Sequence, residues 1–221
     1  MKDNGLENVI TIIKGKVEEV ELPVDGVDII ISEWMGYFLL YESMLLTVLD
    51  ARDRWLKPGG MLFPDKASIY ISAIEDADYK ESKVDFWDSV HGVDMSCVKN
   101  MVISEPLVDV TEQQAIFTTS CPIFSINLET VDRSQLNFVS TYRLTATRND
   151  YFYALVAWFD VDFTHGKQSI KLSTCNFHLS PSSQIHSLEA DSFLHRKILA
   201  NDVRRRNHRI FRSSQQPRAP A

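Results

Sequence analysis

Val27-Asp28-Ile29-Ile30-Ile31-Ser32-Glu33-Trp34-Met35-Gly36-Tyr37-Phe38-Leu39-Leu40-Tyr41-Glu42-Ser43-Met44-Leu45 decides how this chain reads. Val27 to Ile31 is an almost continuous apolar, β-branched run, the pattern of a strand covered on both faces of a parallel sheet. The loop after it sits at a strand's carboxyl edge, where α/β folds build their sites. That loop holds Glu33 and Glu42 around Gly36 and several aromatic residues, and no basic residue occurs between Asp28 and Arg52. Two acids in such apolar company are costly to bury unless a cation joins them. A guanidinium is the natural guest, because its planar fork meets two carboxylates through parallel hydrogen bonds. The competing reading is a solvated acidic loop beside an incidental aromatic cluster.

Outward from this stretch, Val9 to Ile13 is a second β-branched run, bounded by Asn8 and Lys14-Gly15-Lys16, and is expected to be a strand. Tyr41 to Leu56 places Met44, Leu45, Val48, Leu49 and Trp55 at helical spacing. Pro58-Gly59-Gly60 should stop that helix, and Met61-Leu62-Phe63 should re-enter the sheet before Pro64 breaks it. Beyond Pro64, Ser68 to Ile74 and Phe138 to Thr145 partly alternate like half-buried antiparallel strands, and Tyr151 to Asp162 is a long aromatic-rich strand or pair. Tyr79 to Val110 is mixed in pattern, with exposed-looking Phe86 and Trp87, and reads as an insertion. The fold class is therefore α/β + β: an α/β half-domain followed by a mainly β domain.

The 221 residues suffice for one good core or two small ones. With 44% hydrophobic and 24% charged residues, the balance is that of an ordinary globular protein. No apolar run approaches the roughly 20 residues of a membrane span, so no membrane role is expected. Cys97, Cys121 and Cys175 lack metal-ligand spacing. They read as reduced thiols packed as small hydrophobes, which points to the cytoplasm and/or the nucleus, with no metal site. Net charge is -7, and the acids dominate before His195. An acidic body argues against direct nucleic-acid binding and suits a basic substrate.

Ser32-Glu33-Trp34-Met35-Gly36-Tyr37 followed by Tyr41-Glu42-Ser43-Met44-Leu45 resembles the double-glutamate hairpin of the type I protein arginine N-methyltransferase family. Asn8-Val9-Ile10-Thr11, Gly15-Lys16-Val17-Glu18, Trp55-Leu56-Lys57-Pro58-Gly59-Gly60, Phe63-Pro64-Asp65, Asp94-Met95-Ser96-Cys97 and Glu105-Pro106-Leu107-Val108-Asp109 agree with it, and the likeness runs from about Gly5 to about Thr174. The resemblance implies the C-terminal half of a Rossmann-like S-adenosylmethionine methyltransferase domain over 1–64. A β-barrel-like substrate domain would follow over 65–174, with a helical dimerisation arm at about 79–110. It implies transfer of a methyl group from S-adenosylmethionine to a guanidino nitrogen of protein arginine, in histones and Gly/Arg-rich proteins, by a homodimer. Glu33 and Glu42 would hold the substrate guanidinium. Glu18 would lie near the cofactor's adenine, its alternative being a solvated acid. Met44 would pack beside the methyl-donor pocket, its alternative being helix core.

The chain departs from the family pattern at both ends. The glycine-rich loop and the ribose-binding acid would precede Met1, and without them the expectation is weak cofactor binding and partly uncovered apolar residues at Val27–Ile31 and along the Tyr41–Leu56 helix. After Gly166 no further glycine occurs, nor any Trp after Trp158 or Tyr after Tyr153. Written as codons and read one base later, Ser187 to His195 permits His-Trp-Lys-Gln-Thr-Leu-Phe-Tyr, a family-like loop and strand. Residues 175–221 are therefore expected to be a frame-shifted, disordered tail, whose arginine cluster has no evolved role. The alternative function is a catalytically inactive fragment, or a dimerisation module of such an enzyme.

Overall fold

The computed structural model describes residues 1–175, together with the backbone of 195–199 and 211–212. Strand β1 (Val27–Ile31) pairs in parallel with β2 (Leu56–Phe63), and helix α1 (Leu45–Trp55) is the crossover between them. This is the βαβ unit that the apolar run and the helical spacing predict, although β1 is not covered on both faces and Pro58-Gly59-Gly60 fall inside β2 rather than stopping the helix. The helix starts at Leu45 rather than Tyr41, because residues 36–41 are already committed to hairpin hydrogen bonds. Leu45, Val48, Leu49 and Ala51 form its buried face.

The expected strand at Val9–Ile13 is not one. These residues are irregular, and Val9 and Ile12 are 77% and 73% exposed. A β-branched run becomes a strand only when a neighbour supplies the ladder, and β2 is the sole partner of β1 among the described residues. Ile29 and Ile31 accordingly stay open to solvent, at 46% and 77% exposed, and Leu46 on α1 is also exposed.

The larger sheet is antiparallel. It is built on β3 (Lys66–Ile74) and β7 (Ala154–Phe163), which pair along their whole lengths from Lys66 opposite Asp162 to Ile74 opposite Ala154. Strand β5 (Cys121–Asn127) flanks β3 on its other side. Strand β4 (Leu107–Asp109) enters the same sheet through β9 (His195–Leu199), which lies between β4 and Ala154–Ala157 of β7. Strand β8 (Ile170–Ser173) continues along the same edge of β7, opposite Asp160–Phe163. The expected strand over Phe138–Thr145 shrinks to β6 (Val139–Ser140), paired with β10 (Phe211–Arg212). Thr145 and Thr147 instead make isolated hydrogen bonds with Thr119 and Phe117. Two short strands thus fall inside the segment expected to be a disordered tail; the rest of that expectation lies outside the described residues.

Tyr79 to Val110 is a series of short helical turns, at Ala77–Tyr79, Lys80–Val84, Asp85–Asp88, Ser96–Val98 and Lys99–Ser104, ending in β4. Lys99 binds both Asp85 and Asp88, and Lys80 binds Asp85, which ties the two ends of the excursion together. Phe86 is half exposed, whereas Trp87 is partly covered by its edge-on contact with Phe86. Cys175 is buried and Cys121 packs, partly buried, against the apolar core, whereas Cys97 stands exposed, so the small-hydrophobe reading fails at Cys97. No helix among the described residues is long and apolar enough to cross a membrane.

One apolar cluster crosses the boundary drawn at residue 64. Trp34, Leu39, Leu40, Leu45, Val48 and Leu49 pack with Ile69, Ile71, Ile123, Leu128, Phe159 and Val161. Each such fully buried side chain contributes about 2 kcal/mol, so the acidic loop and α1 are bolted directly onto the antiparallel sheet.

On the polar face of that sheet, Asp162 lies beside Asp160 and Asp65, with Lys171 at 3.8 Å as its cation. Burial raises the Asp162 carboxyl above its ordinary value; Lys171 opposes this, and Asp160 and Asp65 add to it. A raised folded-state value means that the stability associated with the protonated acid is fully present below the unfolded-state value. It is lost as pH rises through the folded one. Asp162→Asn removes that loss, and Lys171 keeps Asp160 at 3.1 Å. The variant should match the parent in acid and melt on the order of 2 °C higher at neutral pH, read by thermal denaturation across pH.

Candidate active site

The loop after β1 is a tight, irregular hairpin. Ser32 N–H extends the β1–β2 pairing by donating to Phe63 O at 3.1 Å. Gly36 N–H then donates to Leu39 O at 3.0 Å, Tyr41 N–H to Tyr37 O at 2.9 Å, and Met44 N–H to Trp34 O at 2.8 Å. That last bond closes the base of the loop immediately after Glu33 and two residues beyond Glu42. Trp34, Leu39 and Leu40 are buried and anchor it, while Glu33 and Glu42 are both exposed.

Sequence reasoning missed how strained this loop is. Phe38, Leu39 and Glu42 have φ of 52°, 65° and 55°, a region that side-chain-bearing residues avoid at a cost of about 1–2 kcal/mol each. Gly36 explains how the turn closes. A Cβ there would lie 2.0 Å from Tyr41 O and 2.9 Å from Ser43 N, so only glycine allows the two arms to approach. Chemically, the loop presents two anions to solvent on a scaffold that cannot swing, which suits a planar cation approaching from outside.

Glu18 is held at the first turn of α1, and Met44 is the residue that precedes that helix. Thr47, in the first turn of the helix, donates its hydroxyl to Glu18 Oε1. That bond holds the Glu18 carboxyl below the usual glutamate range, helped by the segment's own backbone and by Lys16 and Arg54. Arg54 at the far end of α1 grips the same segment, donating to Val17 O at 3.0 Å, Glu18 O at 3.1 Å and Val20 O at 2.9 Å. Glu18 is therefore exposed yet fixed in place. Met44 is 55% exposed, which overturns its helix-core alternative: it caps α1 and points away from the buried stripe of Leu45, Val48 and Leu49.

A depressed carboxyl adds stability above its unfolded-state value, and this is lost as pH falls through the folded one. Thr47→Val should bring Glu18 back towards the ordinary glutamate range, so that its acid-side titration begins at higher pH. Carboxyl-resolved NMR titration reads this directly.

Residues 65–203 match the family model described as "Arginine methyltransferase oligomerization subdomain". The chain is 55% identical over 174 residues to protein arginine N-methyltransferase 1 of Chlamydomonas reinhardtii, covering 79% of this chain and 50% of that protein. It is 56% identical over 174 residues to protein arginine N-methyltransferase 1 of Schizosaccharomyces pombe, covering 79% and 51% respectively. The chain thus spans about half the length of the curated relatives it matches. Among solved structures, the Trypanosoma brucei PRMT1 enzyme-prozyme heterotetrameric complex with AdoHcy superposes with a TM-score of 0.78 at 41% identity, over 96% of this chain and 62% of that one. Arabidopsis thaliana protein arginine methyltransferase 10 superposes with a TM-score of 0.70 at 29% identity, over 91% and 63%.

Proposed function

The chain belongs to the protein arginine methyltransferase family, and from that premise we propose that its hairpin 33–44 is the guanidinium clamp of an S-adenosylmethionine-dependent transfer to protein arginine. The observation that carries this reading is the loop itself: Glu33 and Glu42 exposed on a turn that is locked into the core by Trp34, Leu39 and Leu40. Two carboxylates carried on a hydrogen-bonded backbone turn can align the planar cation by charge-assisted hydrogen bonds. They draw positive charge towards the nitrogens they touch and leave electron density on the nitrogen that attacks. Most of the acceleration then comes from orientation and electrostatics. The alkylated nitrogen sheds one proton, which a loop carboxylate can accept.

The residues present fit a nucleoside-bearing methyl donor. Glu18 offers an ionised acceptor, held by Thr47 and Arg54, and Met44 offers an exposed thioether at the head of α1. S-adenosylmethionine, when bound, supplies an electrophilic methyl group on its sulfonium. The AdoHcy in the Trypanosoma complex supports this choice of cofactor. Histone-like and Gly/Arg-rich segments are the proposed substrates, matched by the chain's net charge of -7. The helical arm at 77–104 is proposed to dock on a second copy, as the matched oligomerisation subdomain suggests. The proposed location is the cytoplasm and/or the nucleus.

A second reading, a dimerisation module without catalysis, is favoured by the subdomain that the family model describes. Calorimetry separates the two. Under the first reading, S-adenosylhomocysteine and a Gly-Arg-Gly peptide bind the chain, Glu33→Gln and Glu42→Gln lose the peptide, and Glu18→Gln weakens the nucleoside. Dimerisation by light scattering without either ligand binding favours the second.

A further inference from the structure

Arg52 stands outside the loop and the cofactor-side residues, yet it ties α1 to the turn after β5 through its guanidinium. Its Nη1 donates to two backbone carbonyls of the turn after β5, Leu128 O at 2.7 Å and Val131 O at 2.9 Å. Nε holds Asp53 Oδ1 at 2.8 Å, which fixes the plane of the guanidinium, and the side chain is only 15% exposed. The turn it holds is itself rigid. Leu128 and Val131 are buried, Leu128 N–H donates to Asp65 O at 2.8 Å, and Val131 N–H donates to Asn127 O at 2.9 Å. Arg133, at the start of the helical turn Arg133–Leu136 that follows, reaches back to Asp50 on α1 and adds a second link.

At its other end, α1 begins at the loop. Met44 caps the helix by accepting from Val48 N–H, and its own N–H closes the loop base on Trp34 O. Arg52 lies eight positions along from Met44, about 12 Å of stiff rod. A guanidinium is suited to this join, because its rigid planar head serves two carbonyls and a carboxylate from fixed directions, whereas a lysine offers three rotatable donors on a single point charge.

We propose that Arg52 is a positioning residue: by clasping the 128–131 turn it fixes α1, and through α1 the register of Glu33 and Glu42 against the antiparallel sheet. The acidic loop and the sheet then act as one clamp on an arginine-bearing segment. This rests on the reading of Glu33 and Glu42 given above, and the experiment separates the two.

Arg52→Met and Arg52→Lys are made in the full chain, and amide hydrogen exchange is followed at Met44, at 128–131 and in the β3–β7 ladder. In the methionine variant, exchange at Met44 and at 128–131 should accelerate by about tenfold, with Ile69 and Phe159 unchanged. Lysine should recover part of that protection. Faster exchange at 128–131 with Met44 unchanged overturns the proposal, as does a uniform rise through the ladder, which marks a merely structural residue. A Gly-Arg-Gly peptide titration is run alongside. If the parent's binding ignores Glu33→Gln and Glu42→Gln, the guanidinium reading falls while the exchange data still decide Arg52. If binding depends on both glutamates yet is full in Arg52→Met, the positioning role falls and the clamp stands.

Discussion

Gly36→Ala is expected to take the loop apart. The added Cβ would lie 2.0 Å from Tyr41 O, 2.9 Å from Ser43 N and 3.0 Å from Tyr41 C, all backbone atoms that no rotamer change can move. Restoring ordinary contact requires the two arms to separate by more than an ångström. That breaks the Gly36–Leu39 and Tyr37–Tyr41 hydrogen bonds and strains the anchors Leu39 and Leu40. Overpacking of this kind costs about 3 kcal/mol. Thermal denaturation should show a midpoint lower by roughly 6 °C, and arginine-peptide binding should fall below detection. An alanine variant with the parent's midpoint and affinity would show that the turn does not close as described.

The second large effect separates chemistry from stability. Glu33→Gln and Glu42→Gln keep the shape and remove one charge each from side chains that are already exposed. Melting should barely move. A neutral amide holds a cation far less strongly than a carboxylate does, and it no longer biases charge within the guanidinium. Each variant should lose methyl transfer by about 100-fold or more, measured with a Gly-Arg-Gly peptide on the form of the protein that binds S-adenosylhomocysteine. Glu42→Gly is the sharper control. It relieves the φ of 55°, so it should melt slightly higher while losing the peptide. Gain of stability with loss of binding would identify Glu42 as strained for function, whereas full activity in either glutamine variant would remove that glutamate from the clamp.

Much of this was legible in the residues. Val27–Ile31 and the Leu45, Val48, Leu49 spacing announced a parallel βαβ unit, because a continuous apolar run and a single apolar stripe each leave a distinct period. The two glutamates stood out because acids are rare among aromatics without a cation nearby. Val9–Ile13 misled, since β-branching records only a preference, and a strand exists only where a neighbour completes its hydrogen bonds. Phe138–Thr145 misled for the same reason, retaining only Val139–Ser140 as a strand.

By itself, then, the sequence determined the family, the βαβ unit and the residue types at the acidic loop, because these depend on short-range pattern and on side-chain chemistry. Only the tertiary structure decided that Gly36 is required by a close approach to Tyr41 O, and that Glu42 sits in the left-handed region. It also decided that Thr47 and Arg54 hold the Glu18 segment, and that Arg52 clasps carbonyls more than seventy residues away. Backbone carbonyls are the same at every position, so nothing in the spelling of a chain marks which of them an arginine will find. Packing makes that choice when distant segments are brought within 3 Å.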